Sequence, residues 1–185
     1  MKILNFGSLN RDLVYSVDHA VRGGETLASS SLETFCGGKG LNQSLALARA
    51  GADVYHAGCI GSDGSALRTL LEESGVDTRH LREVDGPSGH AVIQLDVNGQ
   101  NSILLFGGAN HMVTRTMIDE VLSQFDAGDL LVLQNEISEM PYLLEQGAAR
   151  GLRVVWNPAP LRRICWIGRC RRCPISWSTR SRVQN

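Results

Sequence analysis

Short apolar runs alternate with stretches of helical periodicity along most of this chain, and that alternation leaves few folds open. Residues 2–6 and 53–60 read as strands on either side of a helix over 42–50 that closes at Gly51. Residues 65–74 predict a second helix, because Leu67, Leu70 and Leu71 share a face and Gly75 supplies the stop. Farther along, 114–124 suits a helix, 130–134 a buried strand, 139–150 a helix ended by Gly151, and 152–156 another buried strand. Short apolar strands joined by helices imply a parallel sheet, so the expected fold class is α/β.

Two regions interrupt the rhythm. Residues 13–17 with 30–35, and 91–96 with 102–106, read as additional strands, the second pair joined through Asn98-Gly99, a strong hairpin signal. Strands inserted between helical units suggest a small sheet standing off the main layer as a lid or dimer surface. The competing arrangement is an edge extension of the main sheet.

Chemistry concentrates in Gly37-Gly38-Lys39-Gly40-Leu41-Asn42, which runs straight into the helix. Glycine lets backbone approach a ligand closely, and the free N–H groups of a helix start attract oxygen atoms. The named glycine motifs nevertheless fail here. A phosphate-binding loop of the Walker type needs Ser or Thr after Gly-Lys, where this chain has Gly40. A dinucleotide fingerprint starting at Gly38 needs Gly or Ala at position 43, where it has Gln43. A plain strand-to-helix turn is the duller alternative.

At 185 residues, with 43% hydrophobic and 20% charged content, the chain has the composition of one soluble globular domain. The start Met1-Lys2-Ile3-Leu4-Asn5-Phe6-Gly7-Ser8 does not read as a signal peptide and no apolar run reaches spanning length, so a cytoplasmic location and no membrane partner are expected. Only Cys36 and Cys59 of the five cysteines precede residue 160, which is no disulfide framework. The five histidines show no metal spacing and read as surface or packing residues. Seven of the eighteen basic residues are arginines between 161 and 185, leaving eleven basic against nineteen acidic residues before them. So acidic a body argues against a nucleic-acid partner.

The ordered motifs Gly7-Ser8-Leu9-Asn10-Arg11-Asp12, Gly24-Glu25-Thr26, Gly37 to Ser44, Gly61-Ser62-Asp63-Gly64, Gly75-Val76-Asp77-Thr78, Gly107-Gly108-Ala109-Asn110, Gln134-Asn135-Glu136 and Asn157-Pro158-Ala159-Pro160 resemble the ribokinase branch of the PfkB-type sugar and nucleoside kinases. The similarity covers residues 1–160. It implies a ribokinase-like parallel sheet flanked by helices with a small β lid, truncated before the ATP-binding half. It implies sugar contacts from Asn10, Asp12, Gly38, Lys39, Asn42 and Glu136, and transfer of a phosphoryl group from ATP, with Mg, to the primary hydroxyl of a pentose such as ribose. It also implies a small-molecule sugar as partner and a homodimer through the lid strands. The residue types fit without the family: Asp12 can accept two hydroxyl hydrogen bonds, and Asn10 and Asn42 can both donate and accept. Duller roles stand beside these: Asn10 and Asp12 could satisfy a turn after the first strand, Asn42 could cap the helix, and Lys39 could be a solvated charge. Asp63, in a Ser-Asp-Gly turn before a helix, reads equally as an N-cap and is not carried as a site residue.

In the family the catalytic base is an aspartate in a Gly-Ala-Gly-Asp type motif beside a glycine anion hole, and no such motif occurs in this sequence. The expectation is therefore that base, anion hole and adenine pocket are missing and no catalytic residue can be named. Residues 161–185, rich in Arg, Cys and Trp, read as an out-of-frame or truncated tail. A metal clamp using Cys165, Cys170 and Cys173, or a basic nucleic-acid arm, are the alternatives.

Overall fold

A computed structural model describes residues 1–159 of the chain. The expectations for the 161–185 tail lie outside the described residues.

The main sheet is five parallel strands in the order β5-β4-β1-β8-β9. Its members are β1 (Ile3–Phe6), β4 (Val54–Ile60), β5 (Asp77–Glu83), β8 (Leu130–Leu133) and β9 (Arg153–Trp156). Helices cover both faces, as parallel strands require. On one face α1 (Lys39–Arg49) and α2 (Ser65–Glu73) bury Leu41, Leu45, Leu67 and Leu71 against Leu9, Val54 and Ile60. On the other, α3 (Arg115–Leu122) and α4 (Met140–Ala149) bury Met117, Ile118, Val121 and Leu143 against Leu4, Phe6, Leu131 and Leu133. Each such side chain contributes roughly 1.5–3 kcal/mol of burial.

The inserted strands form a separate sheet, ordered β3-β2-β6-β7, from β2 (Asn10–Ser16), β3 (Ser31–Gly37), β6 (Gly89–Leu95) and β7 (Asn101–Phe106). The edge-extension arrangement is thereby excluded. This lid remains strongly apolar on its outer strands, with Phe35, Ile103, Leu104, Leu105 and Phe106 all at least half exposed. One carboxylate joins it to the body. Asp63 accepts the Ser88 N–H at 2.8 Å at the foot of β6 and pairs with Arg11 of β2 at 2.8 Å. Burial works against the Asp63 charge, but these hydrogen bonds outweigh it and hold its carboxyl at about 2.

At four places the structure goes beyond or against the local reading of the sequence. Residues 77–83 form strand β5, hidden in the sequence because Asp77, Arg79, Arg82 and Glu83 break any apolar run at a sheet edge. The first helix begins at Lys39 rather than 42, so Asn42 lies inside its first turn and does not cap it. Gly64 holds the N-cap position of α2, and Asp63 serves the lid instead. Asn10 and Asp12 belong to a strand, not to a turn after β1, because β2 starts three residues earlier than its apolar pattern suggests.

Candidate functional site

The main sheet changes direction at β1: the chain builds outward through β4 and β5, then returns to place β8 on the other side. Such a switch point leaves a crevice beyond the strands' carboxyl ends. Ser8 and Asn10 follow β1 there, and Gln134, Asn135 and Glu136 follow β8.

The glycine loop packs against this junction. A Cβ on Gly40 would stand 2.5 Å from the Ser8 amide nitrogen and 2.6–2.7 Å from Gly7 backbone atoms. Gly38, with φ of 98°, sits where a Cβ would meet the Ser8 carbonyl at 2.8 Å. The glycines therefore admit neighbouring chain, and what they bring to the crevice is the residue between them. Lys39 Nζ donates to Glu136 Oε1 in a short ion pair. Glu136 Oε2 accepts the Ser8 hydroxyl at 2.5 Å and the Lys39 backbone N–H at 3.4 Å. The solvated-charge reading of Lys39 is thus displaced by a pairing with a largely buried carboxylate.

Asn10 and Glu136 line a cleft together with Leu105, Phe106, Asn110 and Asn135. Asp12 lies two residues from Asn10 on β2, hence on the same face. Burial raises the Asp12 pKa, and the nearby Glu136 carboxylate raises it further. Behind Asn10, the Asn110 carboxamide accepts from Leu9 N–H at 3.0 Å and donates to Leu9 O and to Asn10 Oδ1 at 3.2 and 2.8 Å.

A buried polar network supports the glycine loop from below. Asn5, in the middle of β1, donates to Gly40 O at 2.7 Å and to Ser44 Oγ at 2.8 Å, and accepts from Gln134 Nε2 at 2.8 Å. Ser44 in turn meets His56 Nδ1 at 2.7 Å. Complete burial lowers the His56 pKa to about 4, only partly offset by the Gly7 backbone, so the ring is neutral near pH 7.

Of the six residues expected from sequence, Asn10 and Glu136 line one crevice, Lys39 pairs with Glu136 and Asp12 lies within its electrostatic reach, while Gly38 packs against the backbone of Ser8, Leu9 and Asn10. Asn42 stands exposed on α1, its side chain bonded to no described residue. Ser8 and Asn110 were not singled out by sequence reasoning, although both fall inside the motifs quoted for the resemblance. Among the described residues no three His, Cys, Asp or Glu side chains gather to hold a metal ion. No described helix is long and apolar enough to cross a membrane.

The model of the pfkB family carbohydrate kinases matches residues 1–149. The chain is 36% identical over 159 residues to a ribokinase of Haemophilus influenzae, covering 83% of this chain and 52% of that protein. Among solved structures it superposes on a Cryptococcus neoformans ribokinase in complex with ADP, with TM-score 0.72, 36% identity, and coverage of 87% of this chain and 50% of that one. An Arabidopsis thaliana ribokinase complexed with ribose and ATP gives TM-score 0.69 at 29% identity, over 86% and 54% of the two chains. The chain thus spans about half the length of the curated relatives it matches.

Proposed function

The chain belongs to the pfkB family of carbohydrate kinases, and on that premise we propose that residues 1–160 are the sugar-binding and lid part of a cytoplasmic ribokinase-type enzyme. Its reaction moves a phosphoryl group from Mg-ATP to the primary hydroxyl of a pentose, with D-ribose the first candidate. The observation that carries this reading is the convergence of Asn10, Asp12 and the Lys39–Glu136 pair at the switch point of the sheet. A polyol offers several hydroxyls, each able to donate and accept. Ionised Asp12 and Glu136 only accept, whereas the Asn10 amide can donate. Lys39 neutralises Glu136, so the crevice does not repel a phosphorylated product with two uncompensated carboxylates. Gly38 and Asn42 complete the proposed sugar contacts from the loop and the first turn of α1.

A second reading, a sugar-binding chain with no turnover of its own, is carried beside it. The exposed apolar lid strands support a homodimer in either case. Calorimetric titration of the 185-residue chain with D-ribose, 2-deoxyribose and other pentoses, beside a coupled assay of ATP turnover, tests both readings. Pentose binding is expected; no binding of any pentose refutes the sugar assignment. Robust ribose-dependent turnover removes the second reading, and binding without turnover establishes it.

A further inference from the structure

Asn110 sits in the 3-10 turn Gly108–Met112 that follows the lid, 2% exposed, and both of its amide protons are donated internally. Its orientation is dictated by its partners. Leu9 N–H can only donate and Leu9 C=O can only accept, so Oδ1 must face the first and Nδ2 the second, at 3.0 and 3.2 Å. The second Nδ2 proton then points at Asn10, at 2.8 Å, and only the oxygen of that side chain can take it. The Asn10 amide is thereby turned with Oδ1 inward, and its Nδ2 is bonded to no described residue. Gly89 leaves the room this requires, since a Cβ there would stand 2.1 Å from Asn110 Nδ2 and 2.4 Å from Asn10 Oδ1.

We infer that Asn110 is a positioning residue that makes Asn10 a one-way hydrogen-bond donor toward the sugar. The inference rests on the sugar-kinase reading above and deepens it. An unconstrained asparagine can present either end of its amide and so tolerates ligand donors and acceptors alike. Held by Asn110, Asn10 demands an acceptor, while Asp12 on the same strand face demands a donor. A hydroxyl shared between them is held in one orientation, accepting from Asn10 and donating to Asp12. Asn110 has no amide proton left over for a ligand in this role, so any donation toward the sugar comes through Asn10.

Two measurements on the 185-residue chain test this. In the ligand-free protein, labelled side-chain amides are followed by hydrogen exchange in NMR. The Asn110 amide protons are expected to exchange at least about tenfold more slowly than those of Asn10, since both are donated internally. Equal exchange, or protection of Asn10 instead, overturns the inference whether or not any sugar binds. The second measurement is a double-mutant cycle on ribose affinity. Asn110→Ala is expected to weaken binding about tenfold in the natural background, and less than about twofold when Asn10→Ala is already present. Equal losses in both backgrounds would mean that Asn110 acts as general scaffolding, and the inference fails. Asn110→Ser, smaller but still polar, replaces the alanine variant if that one does not fold. Absence of all pentose binding with the exchange pattern intact overturns the sugar reading and leaves the Asn110–Asn10 orientation standing.

Discussion

Replacing Gly40 with alanine separates two roles for the glycine loop, space for a ligand and space for the chain itself. The new Cβ would lie 2.5 Å from Ser8 N, 2.6 Å from Gly7 C and 2.7 Å from Gly7 Cα. Comfortable carbon contacts begin near 3.5 Å, so the first turn of α1 and the β1–β2 junction must separate by about 1 Å. No flexible side chain is available to yield, because every clashing atom is backbone. That backbone is anchored: Gly7 N–H bonds Ala57 O at 3.0 Å, and Leu41 N–H bonds Ser8 O at 3.0 Å. Overpacking of this kind costs about 1–3 kcal/mol. The same shift strains the 2.7 Å bond from Asn5 to Gly40 O and the Leu41–Ser8 bond, worth about 1 kcal/mol each. Alanine's better helix propensity offsets about 1 kcal/mol. The net is a destabilisation of about 2 kcal/mol, or a melting midpoint lower by roughly 4–8 °C for a domain of this size. Circular dichroism melts of Gly40→Ala beside Ala46→Gly, on the exposed face of the same helix, supply the comparison. A Gly40→Ala chain melting at or above the natural one would refute the reasoning. If it also lost pentose binding, the glycine would be clearing space for ligand, as the sequence alone suggests.

Asp12→Asn is expected to melt at least as high as the natural chain at pH 7 while losing tenfold or more in pentose affinity. The folded pKa of Asp12 is raised by burial and by Glu136, so its linkage favours folding below the ordinary carboxylate pKa and that benefit is gone once pH rises through the raised value. Retained affinity, or a clearly lower melt, contradicts this. His56 has its pKa depressed to about 4, so its contribution is complete above about 6.5 and disappears as pH falls toward 4, a loss on the order of 3 kcal/mol. Chemical denaturation at stepped pH should show that decline, and His56→Gln should flatten it; a stability unchanged between pH 7 and 4 counts against the assignment. Lys39→Met leaves the largely buried Glu136 carboxylate without its cation and should cost about 1 kcal/mol, as the lysine itself is partly solvated. Adding Glu136→Gln should restore the melt but not the pentose affinity, and recovery of both would remove the pair from the binding site.

The alternation of apolar strands and amphipathic helices was legible because its signals are local. Leu130–Leu133 is a continuous apolar run, and Leu67 and Leu71 recur at helical spacing, so β8 and α2 need no tertiary information. β5 was illegible for the opposite reason. An edge strand with one neighbour can carry Asp77, Arg79, Arg82 and Glu83, and its pairing with β4 is a long-range fact. The Asn98-Gly99 hairpin was readable, whereas the pairing of β2 with β6, nearly 80 positions apart, was not. The same division runs through the candidate site. Residue types suited to a polyol could be picked out of the motifs, but the helix start at Lys39 and the strand start at Asn10 depend on how the glycine loop packs against Gly7 and Ser8.

By itself, then, the amino-acid order determined a parallel α/β layer with extra strands inserted in it, and a set of polar residues able to serve a sugar. Only the tertiary structure decided what those residues do to one another. It turned Lys39 onto Glu136, brought Asp12 under the influence of that same carboxylate, spent Asp63 on the lid and committed Asn110 to orienting Asn10. The physical reason is directionality and distance. Hydrophobic periodicity survives in one dimension, whereas a hydrogen bond or an ion pair between residues 100 positions apart exists only once the sheet has set their spacing to within a few tenths of an ångström.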